Sequence, residues 1–150
     1  MARTAETPFT GTIVEVSDDG GTTWEKFVCN EGAIDIDWGV ADETEFTCLE
    51  TGVTKTIYGA NKFQDQTFSY TWTQALTNEA DNIVKTAKLN STEILARITM
   101  NNATDLETTG TQYEIPFKVK GYTHKGEVNG KWTTETVWKQ NDYPTEIAAS

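Results

Sequence analysis

Apolar and polar residues alternate at every second position through much of the chain, the repeat of a strand with one face on a core and the other in water. Between Thr12 and Ser17, Val14 and Val16 fall on one side and Ile13 and Glu15 on the other. Asp18-Asp19-Gly20-Gly21 supplies turn chemistry, and Thr22 to Val28 reads as the returning strand of a hairpin. In Ala33 to Trp38 the alternation sets Ile34, Ile36 and Trp38 against Asp35 and Asp37, which predicts a strand with both aspartates turned away from the core. Gln64 to Thr73 carries the clearest pattern, with Phe68, Tyr70 and Trp72 on one face and Thr67, Ser69, Thr71 and Thr73 on the other. After a gap, Ile94 to Met100, Tyr113 to Val119 and Lys131 to Lys139 alternate again, the last with Trp132, Thr134, Thr136 and Trp138 on one face. Asn129-Gly130 supports a hairpin turn before it, and Pro116, which lacks a backbone donor, points to an edge strand or a bulge.

One stretch changes period. Ala80, Ile83, Val84 and Ala87 fall at i, i+3, i+4 and i+7, and Thr77 or Asn78 can cap the start. Glu79 and Asp81 lie in the first turn and Lys85 and Lys88 in the last, which complements the helix dipole, so a helix is predicted over about Asn78 to Leu89. Residues 39–62 fit neither period. They are acidic at first, then carry Thr51-Gly52 and a short run from Lys55 to Tyr58, which predicts a long protruding hairpin or loop of a length that usually carries function. Residues 1–10 have no periodicity and read as an extended N-terminal arm, 11–140 as one β domain and 141–150 as a C-terminal tail. The fold class expected is mainly β, with two packed antiparallel sheets as a sandwich or open barrel, one flanking α-helix, the long loop and the arm.

Composition reinforces this. Twenty-seven threonines stand against five leucines, with 5 Trp, 5 Tyr and 6 Phe, and branched or aromatic side chains suit a pleated surface. The net charge of -11 is uneven, because residues 1–50 hold twelve acids against Arg3 and Lys26. Such a surface repels polyanions, which excludes sequence-specific nucleic-acid recognition, and also anionic membrane surfaces. No stretch approaches the roughly 20 apolar residues that span a bilayer, so no membrane insertion by this chain is expected. Met1 to Thr12 lacks the apolar run of a signal peptide, which predicts synthesis in a cytoplasm and reduced thiols at Cys29 and Cys48.

Catalysis finds little support. His124 is the single histidine, so any Ser-His-Asp or Cys-His arrangement must pass through it, and a surface histidine is the far better reading. Gly20-Gly21 precedes a strand, where a phosphate loop requires a helix. Asp18-Asp19 and Asp42-Glu43-Glu45 lack the spaced loop of a calcium site and read as solvated faces. No cofactor or metal and no enzymatic activity are expected. The tryptophans fit core or subunit contacts better than a sugar platform. What is left is an interaction protein.

The order of features resembles the major tail tube proteins of long-tailed bacteriophages, the group that includes the phage lambda tube subunit. The likeness rests on Trp24 and the strand leading to Ala33-Ile34-Asp35-Ile36, on the acidic segment Glu43 to Leu49 with Thr51-Gly52, on Gln66-Thr67-Phe68-Ser69-Tyr70-Thr71-Trp72, and on the helix near Asn78 to Leu89. Ile94 to Met100, Tyr113 to Gly121 and the closing strand follow in the family order. The resemblance implies a structural protein of the virion, located in the phage tail and assembled in the host bacterial cytoplasm. It implies hexameric rings stacked into a hollow tube, with tape-measure, tail-tip and tail-terminator proteins as further partners. It also implies a lumen that passes double-stranded DNA without binding it specifically. Acids and hydroxyls suit such a lumen, and Asp35, Asp37, Thr67, Ser69 and Thr71 are its candidate lining because they oppose the core faces of their strands; an outward orientation of the same residues stays open. Ring stacking is assigned to the arm at Phe9 and to the loop with Asp42, Glu43, Glu45, Glu50, Lys55 and Tyr58, two elements expected to order on assembly. A tube inside a contractile tail and a tail-tip or completion ring are close variants. From a different class, the alternative is a small β-sandwich binding module, an adhesin or carbohydrate-binding domain.

Overall fold

The computed structural model describes residues 6–27, 30–31, 33–72, 79–104 and 106–150. Among them are ten strands and one helix: β1 (Ile13–Ser17), β2 (Glu25–Lys26), β3 (Asn30–Glu31), β4 (Val40–Thr47), β5 (Thr54–Lys62), β6 (Gln66–Thr71), α1 (Glu79–Asn90), β7 (Glu93–Thr99), β8 (Gln112–Lys125), β9 (Thr133–Gln140) and β10 (Thr145–Ile147). The chain is mainly β, with two antiparallel sheets and a single helix, as its alternation predicts. The larger sheet runs β2-β1-β7-β8-β9-β6-β3, with β10 paired to β8 off that path, and β4 and β5 form the smaller one.

The layers that enclose the core are the two halves of the larger sheet. Strand β8 joins them. It pairs with β7 from Gln112 to Lys118 and with β9 from Phe117 to Lys125, and its register to β9 shifts between Val119 and Gly121. A bulge of this kind adds twist and bends the strand. It also reverses the inward side: Ile115, Phe117 and Val119 are buried before it, and Tyr122 packs against the core after it. Val14, Val16, Ile94 and Ala96 of one layer thus face Phe68, Tyr70 and Trp138 of the other. Trp138 stacks on Phe117 at 4.2 Å between ring centroids, and Phe27 lies 4.6 Å from Tyr70 and 5.0 Å from Phe68. The two ends of the path, Lys26 and Asn30, are close in the chain, which gives the sandwich the character of an open barrel.

Helix α1 covers one side of this core with Ala80, Val84 and Ala87, while Glu79 and Asp81 occupy its first turn and Lys88 its last. The cap candidates Thr77 and Asn78 lie outside the described residues. Asp81 is buried, and the hydroxyls of Tyr70 and Tyr122 donate to its Oδ1 at 2.5 and 2.7 Å. One carboxylate therefore fastens the helix to β6 and to the bent part of β8. Burial first, and then this carboxylate, push both phenols well above their ordinary pKa.

Several expectations are corrected. The return strand predicted from Thr22 begins only at Glu25 and pairs over Glu25–Lys26, because side chains hold the preceding turn: the Gly21 amide donates to Ser17 Oγ at 3.0 Å and the Thr23 amide to Asp19 Oδ1 at 2.9 Å; its predicted end, Val28, lies outside the described residues. Residues 33–39 form no ladder, since the Gln66 side-chain amide bonds both the amide and the carbonyl of Asp35. Trp38 is 51% exposed and meets Tyr113 edge-on, and Trp132 is 56% exposed, so neither joins the core. Pro116 sits in the central strand β8. Its carbonyl accepts from the Asn141 amide, so its missing donor faces the gap where the ladder passes from β9 to β10. Four strands follow the helix, where three were predicted, because Thr145–Ile147 adds to β8. Cys48 carries a free thiol; Cys29 lies outside the described residues.

Two predictions follow from these contacts. Asp81→Ala leaves two tyrosine hydroxyls without their acceptor, and urea unfolding is expected to show a loss of about 2–4 kcal/mol, with Tyr122→Phe costing less. The Ser17 hydroxyl, followed by the Thr23 amide, lowers the Asp19 carboxyl to a pKa of about 2. The depressed value means that the charged form is favoured by the fold, so this contribution is present above the ordinary 3.8 and is lost as pH falls towards 2. In an NMR titration, Ser17→Ala should move the Asp19 midpoint back up.

Candidate assembly site: the hairpin and its neck

Strands β4 and β5 form a ribbon of seven paired positions from Val40↔Lys62 to Thr47↔Thr54, irregular between Ala41 and Glu43, where Asp42 stands opposite Gly59. No third strand among the described residues pairs with it, and every one of its residues except the partly buried Ala41 is exposed. A lone two-stranded ribbon is marginal in water. The pairing sorts its side chains into unlike faces. Phe46, Lys55, Thr44 and Ile57 share one face, with Asp42 and Lys62 further down it in a 3.1 Å ion pair. Glu43, Glu45, Thr56 and Tyr58 share the other. The turn beyond Thr47 is closed by backbone bonds between Cys48 and Val53 and between Gly52 and Cys48, with Gly52 at φ 69°. Leu49 in this turn is 98% exposed.

The ribbon is fixed to the body by a polar neck. The Asp37 carboxylate accepts from the Gly39 amide at 2.8 Å and from the Gln64 amide at 3.0 Å, clasping the chain just before β4 and just after β5. Gly39 has φ 89°, and a Cβ there would come within 3.2 Å of Asn61 and Phe63, so the entry to β4 requires glycine. Gln140 donates to the Asp37 carbonyl at 2.7 Å. Lys139 donates to the Phe63 carbonyl at 3.0 Å, and Asp65 pairs with Lys120 at 2.5 Å and with Lys139 at 3.7 Å. Lys120, by its hydrogen bond and its charge, holds the Asp65 carboxyl below the usual range. Tyr143 completes the neck, edge-on to Phe63 and hydrogen-bonded to Asn61.

The candidate residues fall on three surfaces. Asp35 lines a groove of about 650 Å³ together with Phe9, Ile34, Ile36, Asp65 and Met100, and Asp37 stands at its end in the neck. Phe9 is exposed, and its carbonyl caps a turn to Thr12. Thr67, Ser69 and Thr71 form a row on the outer face of β6, beside Val137, Glu135 and Thr133 of β9. The stacking candidates divide: Lys55 and Asp42 lie on one face of the ribbon, Glu43, Glu45 and Tyr58 on the other, and Glu50 in the turn. The neck residues Gln64, Asp65, Lys120, Lys139, Gln140 and Tyr143 give no sequence signal, because their partners lie far away along the chain. His124 spends Nδ1 on the Thr134 hydroxyl at 3.0 Å and packs against Tyr122 and Trp72.

No family model and no curated protein matches the chain. Solved structures do. The sheath/tube terminator of the PVC extracellular contractile injection system matches at 18% identity and TM-score 0.67, covering 98% of this chain and 100% of that one. The tube-terminating cap of the anti-feeding prophage matches at 15% identity and TM-score 0.66, covering 99% and 95%. The SPP1 tail tube protein matches at 10% identity and TM-score 0.57, covering 91% and 75%. The chain therefore has the fold of the tube and tube-terminator proteins of phage-like tails and contractile injection systems.

The neck can be tested separately from assembly. Asp37→Ala frees the Gly39 and Gln64 amides, a local loss of about 1–3 kcal/mol. Hydrogen exchange is expected to quicken across residues 40–62 and to stay unchanged in β7 and β9.

Proposed function

We propose that this chain is a structural subunit of a phage-type tail, forming hexameric rings that stack into a hollow tube. The observation that carries the reading is the union of this fold with a two-stranded ribbon whose apolar side chains find no cover among the described residues. The tube would hold a tape-measure protein during assembly, end on tail-tip and terminator proteins, and pass double-stranded DNA without specific binding. Assembly in the host bacterial cytoplasm follows from the same reading. No helix among the described residues is long and apolar enough to cross a membrane.

Thr67 and Ser69 are our choice for the lumen wall; Thr71 continues their row, with its hydroxyl buried and without a hydrogen-bond partner among the described residues. Of the lysines nearby, Lys125 is paired to Glu135 at 2.9 Å, and Lys120 and Lys139 share Asp65, so much of the positive charge beside the row is already neutralised. Asp35 and Asp37 belong instead to the groove and neck. A terminator ring is a second reading, favoured by the near-complete coverage of the two terminator structures.

Negative-stain electron microscopy of the purified protein, concentrated in moderate salt that screens its acidic surface, tests both. Uniform tubes with a central channel are expected. Single rings that never stack would favour the terminator, and monomers at every salt and concentration would overturn both readings.

A further inference from the structure

We propose that the tip of the ribbon, through Phe46, Ile57 and Lys55, seats in the groove beneath Phe9 of a second copy of this chain, with Lys55 meeting Asp35. This rests on the reading of the chain as a stacking subunit and names the contact that performs the stacking.

The two surfaces are complementary. Phe46 and Ile57 are 43% and 57% exposed and flank Lys55 on one face of the ribbon. Of the two lysines on that face, Lys62 is taken by Asp42, whereas Lys55 has no ionic partner among the described residues. The groove offers Ile34, Ile36 and Met100 as apolar walls. Of its three carboxylates, Asp65 is held by two lysines and Asp37 by two backbone amides, while Asp35 is exposed and unpaired among the described residues. Each surface thus sets one unengaged charge, of opposite sign, among exposed apolar side chains, the arrangement that gives a contact register as well as adhesion.

One copy cannot satisfy itself. Val40, at the base of the ribbon, lines the groove, and Phe46 near the tip lies six residues further along β4, roughly 20 Å away at strand rise. Folding the tip back would break the ladder. Insertion into a neighbour is heterologous, so it leaves a free tip at one end and a free groove at the other, and the contact propagates without closing.

The test has two arms. Lys55→Asp and Asp35→Lys are each expected to raise the concentration needed for assembly by at least about tenfold, and the double exchange to restore it. In full-length protein with Cys29 and Cys48 replaced by serine, copper-catalysed oxidation of a mixture of Phe46→Cys and Ile36→Cys chains should give a disulfide dimer that neither chain gives alone. Circular dichroism checks that each variant is folded, and the cysteine pair keeps the charged residues native. Tubes that form equally well with either single exchange and give no mixed disulfide would overturn this contact and leave the tube reading standing. A mixed disulfide from a chain that never forms tubes would uphold the contact against that reading. Neither tubes nor disulfide would overturn both.

Discussion

Strand β8 makes the bend on which the two-layered body depends. Its fourteen residues reach from the β7 layer into the β9 layer, and the shift at Val119 and Gly121 lets one strand serve both. Without that irregularity the alternation of Ile115, Phe117 and Val119 would continue through residue 121, and Tyr122 would turn away from Asp81. The helix would lose one of its two anchors. Lys120, which occupies the irregular position, turns to the outside and reaches Asp65 below the ribbon. Core closure, helix attachment and the base of the projecting ribbon are therefore consequences of one local departure from strand geometry. A Cβ at Gly121 would stand 3.4 Å from Val137, an ordinary contact, so the bend arises from the register and not from a lack of space.

The parts of the fold legible in the sequence are those stabilised along the chain or by simple burial. Phe68 and Tyr70 in β6, Val14 and Val16 in β1, and the 3.6-residue repeat in α1 each bury what their period says they bury. The ribbon was legible too, as a polar stretch too patterned for disorder, and its two paired strands with the turn between them span residues 40–62. Illegible were the places where a side chain takes the role of backbone. Gln66 substitutes for a partner strand at Asp35, and Ser17 and Asp19 occupy amides that β2 would otherwise have aligned. The period of Ala33 to Trp38 is that of a strand, and nothing local announces that a glutamine more than thirty positions later satisfies it. Asp81 illustrates a related limit. Its place in the first turn of α1 predicts a favourable dipole interaction, which explains its charge and gives no hint of the two phenols that surround it.

The concentration of acids in the first third of the chain acquires a structural meaning. They do not form one patch. Glu15 is bound by Arg97 at 3.1 Å, and Arg97 lies over the Trp24 ring at 4.4 Å; Asp19 organises a turn; Asp37 clasps the neck; Asp42 pairs with Lys62. Glu43 and Glu45 remain on one face of the ribbon, opposite the face that carries Phe46 and Ile57. A single count of charge thus combines structural carboxylates, whose partners are fixed within the fold, with solvent-facing ones that set the charge of the surface.

For a subunit that stacks, those solvent-facing acids have a kinetic consequence. Two free copies approach through like-charged surfaces and gain one contact, whereas a copy arriving at an existing end gains several neighbours for the same repulsion. In dilute, low-salt solution, growth from an end is then fast and spontaneous initiation slow, so subunits stay dispersed until a template appears, whereas concentration in moderate salt screens the repulsion and lets initiation proceed. Chain initiation, and with it the number of polymers formed, passes to whatever supplies the first ring.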